Sequence, residues 1–232
     1  MSGAYFDQFN IVWLFGVTNS AIMMGLTVII VLLFLNGVDL IPKRWQSILE
    51  LIYSHFYRVI EDNLGGEGLK YFSFVLSLFF FGVCLNVLGL CPYVFTPTVH
   101  IIVTLGLSFS IIIGVTLAGF WRFKWDFFSV FMPSGAPLGL APLLVLIETV
   151  SYISRAISLG VRLAANLSAG HLLFAILAGF GFNMLIASGP AGLLPLLIMV
   201  FITLLEVAVA VIQAYVFCLL TTIYLADTLI LH

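Results

Sequence analysis

Long apolar runs, broken by short polar or Pro/Gly-rich stretches, set the pattern of this chain. The first run, residues 16–35, is long enough to cross a hydrocarbon core of about 30 Å as a helix. The pattern then changes. In IPKRWQSILELIYSHFYRVIEDNLG, Trp45, Ile48, Leu49, Ile52, Phe56, Val59 and Ile60 recur at helical steps, flanked by Lys43, Arg44, Glu50, Arg58, Glu61 and Asp62. That predicts an amphipathic helix over 42–64 lying in the membrane interface, although a helix packed on partner helices has the same pattern. Uniformly apolar runs over 70–91 and 98–120 predict two more spans. They are joined by CPYVFTPTVH, whose Pro92 and Pro97 suit a connector, since an interior proline breaks a helical hydrogen bond. After the Pro/Gly-rich MPSGAPLGLAP come two helix-permissive runs, 138–180 and 191–229, separated by ASGPAG. Each would reach about 60 Å as a helix, roughly twice the bilayer core, so each is either broken or steeply tilted. Polar residues recur with helical spacing along the whole of both runs, which favours a tilted hairpin.

These elements define an all-α polytopic membrane protein in a single membrane domain, 1–232, with five membrane helices and one amphipathic interfacial helix. Composition agrees. The 232 residues are 63% hydrophobic and 8% charged, where a soluble domain carries about 25% charged residues, and the mean hydropathy is +1.26. A net charge of −2 offers no basic face to nucleic acid. No GxxxxGK[ST], GxGxxG or GxSxG stretch occurs, so neither nucleotide binding nor serine hydrolysis has a motif to carry it. The four histidines and three cysteines are scattered without HExxH or CxxC spacing, and no metal or cofactor is expected. Cys84, Cys91 and Cys218 read as small buried hydrophobes. The N-terminal MSGAYFDQFN has no basic signal-peptide region, so targeting falls to the spans themselves. Lys43, Arg44, Arg58, Lys70, Arg122 and Lys124, six of the eight basic residues, share one side of the membrane if the first run crosses once. The positive-inside rule makes that the inner side.

Against this background the last two runs carry expensive residues. Arginine at bilayer depth costs at least about 2.5 kcal/mol, so it is usually paired, placed against a wet cavity or used. Glu148, Arg155 and Arg162 are seven apart and fall on one helical stripe, flanked by Ser151, Ser158 and Asn166. His171, nine residues beyond Arg162, points to another face. On the last run Glu206, Gln213 and Asp227 share a stripe. In a hairpin, His171 and Glu206 lie toward the outer side, Glu148 and Asp227 toward the inner side, and Arg162 between them. Carboxylates and histidine can relay protons, whereas arginine stays protonated and blocks a direct leak. The plainer reading is that Glu148 pairs with Arg155 and Glu206 with His171 to hold helices together. Asn166-Leu167-Ser168 matches a glycosylation sequon by accident of spacing at bilayer depth.

LGVRLAANLSAGHLL and LLEVAVAVIQAYVF, with IPKRWQSILELIY, GLCPYVFTPTVH and MPSGAPLGLAPLLVLIETVSYISRAISLG, resemble subunit a of F-type ATP synthases in its mitochondrial form. The resemblance covers most of the chain from about residue 40 onward; the first forty residues carry no family signal. It implies that Arg162 faces a rotor ring, with Asn166 and Gln213 as polar support, together with Arg155 and Ser158 on the same helix. It also implies that His171 and Glu206 line an outer half-channel, and that Glu148 and Asp227 line an inner one. Such a subunit does not itself make or hydrolyse ATP. Its implied partners are the rotor c-ring, which supplies the essential carboxylate, other membrane and peripheral-stalk stator subunits, lipids, and a second complex in a dimeric ATP synthase. The transported ion is the proton, no nucleic acid is involved, and the location implied is the mitochondrial inner membrane. One departure is RLAAN, where many relatives have phenylalanine before the small residue. Two other readings stay open: a self-contained ion transporter, against which no inverted repeat is visible, and a purely structural membrane subunit.

Overall fold

The computed structural model describes residues 9–14, 16–35, 44–91, 94–124, 141–189 and 193–229. A two-residue antiparallel pairing of β1 (Trp13–Leu14) with β2 (Val17–Thr18) leads into α1 (Asn19–Leu35). Then follow α2 (Arg44–Leu64), a 3-10 segment (Gly65–Tyr71), α3 (Phe72–Gly89), a short 3-10 turn (Pro97–Val99) and α4 (Ile101–Phe123). The chain ends in two long helices, α5 (Ala141–Ser188) and α6 (Leu193–Leu229). Helices α4, α5 and α6, and α3 with the 3-10 segment before it, are long and apolar enough to cross a membrane; α1 is apolar but shorter. The MPSGAPLGLAP and ASGPAG breaks, the second half of WRFKWDFF and the amphipathic run before Arg44 lie wholly or partly outside the described residues, as does Pro92.

Helix α5 runs unbroken for 48 residues, about 72 Å, and α6 for 37 residues, about 56 Å. No proline interrupts α5 between Leu143 and Ser188, and Pro195 sits in the first turn of α6, where its missing N–H is harmless. Two glycines with positive φ follow helix ends: Gly65 (φ 63°) after α2 and Gly189 (φ 60°) after α5. This left-handed conformation is strained for other residues and is a common helix stop.

The α5–α6 hairpin is antiparallel, and three close approaches give its register. A Cβ on Gly181 would lie 3.3 Å from Pro195 Cβ, Gly170 faces the Glu206 side chain, and Arg155 reaches Asp227. Behind the hairpin, α3 packs on α6 and α4 on both α5 and α6, while α3 and α4 make little contact with one another. The seams are close because small residues line them. Gly160 of α5 lies so near α4 that a Cβ would be 3.0 Å from Leu105 Cα and from the Thr104 carbonyl oxygen. On the same seam the Ser108 hydroxyl donates to the Ala156 carbonyl, 2.5 Å. On the α3–α6 seam Gly82 faces Ala214, and Asn86, fully buried, donates from Nδ2 to the Ala210 carbonyl, 3.3 Å.

The C-terminal half of α2 packs into this body. Phe56, Ile60 and Leu64, at i, i+4 and i+8, are buried in the main core cluster with Val75, Phe79, Phe217 and Cys218. Of the cysteines expected to be buried, Cys218 is buried, whereas Cys91, just past the end of α3, is exposed. Phe56 meets Phe79 at 4.7 Å between ring centroids, and His55 Nε2 is hydrogen-bonded to the Tyr215 hydroxyl, 3.1 Å. Ile48 and Leu51, on the N-terminal half, are exposed at 53% and 70%. The amphipathic helix thus exists from Arg44, but its apolar positions are divided between a packed half and an open half. Aromatic contacts fasten the helix from Tyr53 onward, where Tyr53 and Tyr57 meet Phe72 and Phe56 meets Phe79.

Candidate functional site

The charged residues of α5 and α6 separate into two clusters joined by one run of helix. In the first, Arg155 is the hub. Its Nη1 donates to Asp227 Oδ2 at 3.2 Å, its Nη2 lies 3.8 Å from Glu148 Oε1, and its guanidinium stands 5.9 Å from the Tyr224 ring centroid. The seven-residue spacing of Glu148 and Arg155 therefore does bring them together on one helix face, and the hairpin register adds Asp227. These side chains are 35–49% exposed, so the pairs are water-accessible and each contributes little to stability, about 0–1 kcal/mol.

The second cluster sits where the α3–α4 connection meets the hairpin. His171 Nε2 is 3.2 Å from Thr96 Oγ1. The Thr96 hydroxyl also reaches the Gly89 carbonyl at 2.9 Å. A hydroxyl has one proton, and the carbonyl can only accept it, so Thr96 accepts from His171 Nε2–H and Nδ1 is the free basic nitrogen. Phe9 packs edge-on against the imidazole at 6.1 Å. Glu206 approaches from α6 one residue away, its carboxyl lying over Gly170, where any Cβ would overlap Oε1. Oε1 is buried and has no hydrogen-bond partner among the described residues. His171 and Glu206 thus share a site without pairing with each other in it; the imidazole's partner is Thr96.

Arg162 lies between the clusters. The Gly170–Glu206 contact is eight residues along α5 from it, about 12 Å by helical rise, and Arg155 is seven residues the other way, about 10 Å. The same register puts Gln213 opposite Arg162 on α6. Arg162 has a single described hydrogen bond, from Nη2 to Ser158 Oγ at 3.5 Å, and no described ion pair. It is exposed, as are Ser158 and Asn166, on a face of α5 that the other described residues leave uncovered. The flanking residues on that face are apolar: Ile157 and Val161 on α5, Leu204, Leu205, Val207 and Ile212 on α6. Gln213, by contrast, points inward, 7% exposed, and its Nε2 is buried without a described partner.

Three residues of this region were not foreseen from sequence. Asn86 sits in an apolar run and Thr96 in the CPYVFTPTVH connector, neither with a spacing that marks it, and Gly170 is one small residue among many. Asn86 is nevertheless notable. It joins α6 at Ala210, between Glu206 and Gln213 on one helical stripe, and its Oδ1 is a third buried polar atom there without a described partner. Among the described residues no group of three or more His, Cys, Asp or Glu could hold a metal ion.

Fold and site together define a polytopic helical membrane protein with one charged, uncovered helix face between two polar clusters. A family model described as ATP synthase A chain matches residues 18–226. The chain is 69% identical to an ATP synthase subunit a of Metridium senile over the full length of both. It is 44% identical to one from Marchantia polymorpha, covering 94% of this chain and 91% of that protein. An ATP synthase subunit a of Rhodospirillum rubrum is 45% identical over 93% of this chain and 90% of its own. This chain belongs to the ATP synthase A chain family. It is a non-catalytic membrane-sector subunit of ATP synthase, and a multi-pass protein of the mitochondrial inner membrane.

Proposed function

We propose that this subunit conducts protons as part of the stator. It forms two offset half-channels that load and unload protons on carboxylates of a rotor ring, and so drives rotation coupled to ATP synthesis. The observation that carries this reading is the placement of Arg162. It is a permanent cation on an apolar face that the described residues leave uncovered, without a carboxylate partner among them, between two clusters of titratable groups.

The chemistry follows from that placement. The outer half-channel is the His171–Glu206 cluster. Nδ1 of His171 can take a proton, and the Glu206 carboxyl, one turn of α6 before Asn86's contact at Ala210, can pass it inward. Glu206 Oε1, Asn86 Oδ1 and Gln213 Nε2 are buried polar atoms without a hydrogen-bond partner among the described residues. Such atoms are rare in folded proteins and are usually met by ordered water, which supports a polar passage from Glu206 toward the level of Arg162. The inner half-channel is the Glu148–Arg155–Asp227 cluster, whose exposed carboxylates can take up protons and release them to water. Arg155 offsets the two negative charges there. Arg162 cannot give up its proton, so protons cannot hop from one cluster to the other through it. They must cross on a moving carboxylate that pairs with Arg162 when ionised, and Asn166 and Ser158 give that encounter a polar rim. Each proton that falls through 100 mV releases about 2.3 kcal/mol, so several are needed per ATP.

Arg162→Ala in the assembled complex tests this. ATP synthesis is expected to vanish while the amount of complex is unchanged, because an exposed side chain carries little of the fold. Synthesis at the wild-type rate overturns the proposal.

A further inference from the structure

The segment ahead of α1 reaches over to the His171 cluster. Phe9 packs against the buried group of Val99, Leu163 and Leu167. Its ring meets the His171 imidazole with centroids 6.1 Å apart and planes at 81°. Leu163, Leu167 and His171 stand at i, i+4 and i+8 on α5, so Phe9 lies along one stripe of that helix. Asn19, the first residue of α1, holds the segment from its other end. Its backbone N–H donates to the Val12 carbonyl at 3.2 Å, and its Nδ2 to the Asn10 carbonyl at 3.3 Å. Its Oδ1 accepts from the Ser20 N–H at 2.9 Å. Between Val12 and Asn19 the chain doubles back through the β1–β2 pairing, with Gly16 at φ 87° in the turn, where glycine is favoured. Phe9 is thus pinned by its own ring on α5 and, one residue on, by the tie at Asn10. It belongs to the first forty residues, which carry none of the motifs that mark the family, so the motifs give no hint of this contact.

We propose that Phe9 is a positioning residue for His171. It fixes the plane of the imidazole and screens one side of the ring from water, so that Nδ1, the nitrogen Thr96 leaves free, is presented in a single orientation. This rests on the proton-path reading of His171. The imidazole has one described hydrogen bond, from Nε2 to Thr96 at 3.2 Å. One hydrogen bond holds a point on the ring and leaves the ring free to swing about that point. An edge-to-face ring contact at a second point removes that freedom, and aromatic rings favour this arrangement at centroid separations of about 4.5–7 Å. Proton transfer needs donor and acceptor within about 2.6–3.2 Å, so a swinging imidazole presents Nδ1 at that range less often. Phe9 has no titratable group and acts only through the imidazole. The tie at Asn19 makes the effect a property of the whole segment, because loosening the hairpin there also frees Phe9.

The test uses the whole ATP synthase complex, reconstituted in vesicles and treated with diethyl pyrocarbonate, which acylates unprotonated nitrogens of accessible imidazoles. Modification of His171 is followed by mass spectrometry of its peptide, with the exposed His55 as internal reference. Phe9→Ala is expected to speed the labelling of His171 relative to His55 by about two- to tenfold, the shift that one edge-to-face ring contact can hold. Gradient-driven ATP synthesis per assembled complex should fall in the same variant. Phe9→Tyr keeps the ring and should restore both readouts. Asn19→Ala leaves Phe9 and His171 unchanged but releases the segment, and should move both readouts in the direction of Phe9→Ala. Unchanged labelling of His171 in Phe9→Ala overturns the proposal. So does faster labelling with synthesis at the wild-type rate, which would leave Phe9 as apolar packing alone. His171→Ala, run alongside, keeps the two readings apart. If it abolishes synthesis while Phe9→Ala behaves as wild type, the positioning role fails and the proton path stands. If His171→Ala makes ATP at the wild-type rate, the proton path and the positioning role fall together.

Discussion

A single methyl group at Gly170 moves a carboxylate without changing its chemistry. A Cβ there would overlap Glu206 Oε1 and lie 2.6 Å from its Cδ and 3.0 Å from its Cγ, where ordinary contact begins at 3.4 Å. The carboxyl carbon alone must then retreat by about 0.8 Å, the difference between 2.6 and 3.4 Å, and its oxygen by more. The colliding atoms are the far end of a flexible side chain, so the fold can yield there. Alanine is also the better helix former by about 1 kcal/mol. Gly170→Ala is therefore expected to assemble normally. Its effect falls on proton transfer, which needs donor and acceptor within about 2.6–3.2 Å. A misplacement of about 1 Å can cost on the order of 100-fold. ATP synthesis driven by an imposed gradient, per unit of assembled complex, should fall by about 10- to 100-fold. Glu206→Asp shortens the side chain by one methylene and removes part of the clash. The Gly170→Ala/Glu206→Asp pair should therefore retain more activity than the two single effects combined would leave. A wild-type rate for Gly170→Ala would refute the idea that the Glu206 carboxyl works from the position seen here.

Other seams and partners make sharper claims about stability and specificity. Gly160→Val meets backbone, not a side-chain tip, on α4, so it should destabilise the subunit by about 1–3 kcal/mol, seen as less assembled complex and a lower unfolding temperature. Thr96→Val removes the hydroxyl that joins Gly89 to His171, at a cost of about 1–2 kcal/mol, and frees the imidazole to turn. A lower thermal midpoint together with slower proton-driven synthesis is the expected pair of readouts. Asp227→Asn leaves Arg155 its longer contact with Glu148; the half-exposed pair is worth at most about 1 kcal/mol. The complex should stay intact while synthesis slows, which separates a proton-path role from a merely structural one.

Sequence spacing and hairpin geometry divide the site between them. Glu148 and Arg155 are one helix's own i, i+7 pair, so the stripe was visible in the sequence and the contact follows from it. Asp227 joins them only because the hairpin closes in one register, which spacing within α6 cannot reveal. That the last two elements are long helices was legible from their runs, but α5 continues to Ser188, eight residues past the 138–180 run, through Gly181. The burial of Gln213 was not, because it shares a sequence stripe with the exposed Asp227 and only the packing of neighbouring helices tells them apart. Asn86 and Ser108 lie in runs that are apolar all round, where no periodicity marks the face that packs, and Thr96 lies in a connector, where helical spacing says nothing. Each acts through a contact with a distant helix or turn. On α2 the amphipathic pattern was clear. It marked Phe56 and Ile60, which pack against the body, in the same stripe as Ile48, which does not, because pattern records polarity and not which neighbour is present.

The most direct test of the central claim follows proton flux and ATP formation together, in membranes carrying Arg162→Ala under an imposed pH gradient. If Arg162 separates two half-channels, protons pass down the gradient and no ATP is made. Unchanged flux with unchanged ATP synthesis would contradict that role and leave Arg162 as one more surface charge.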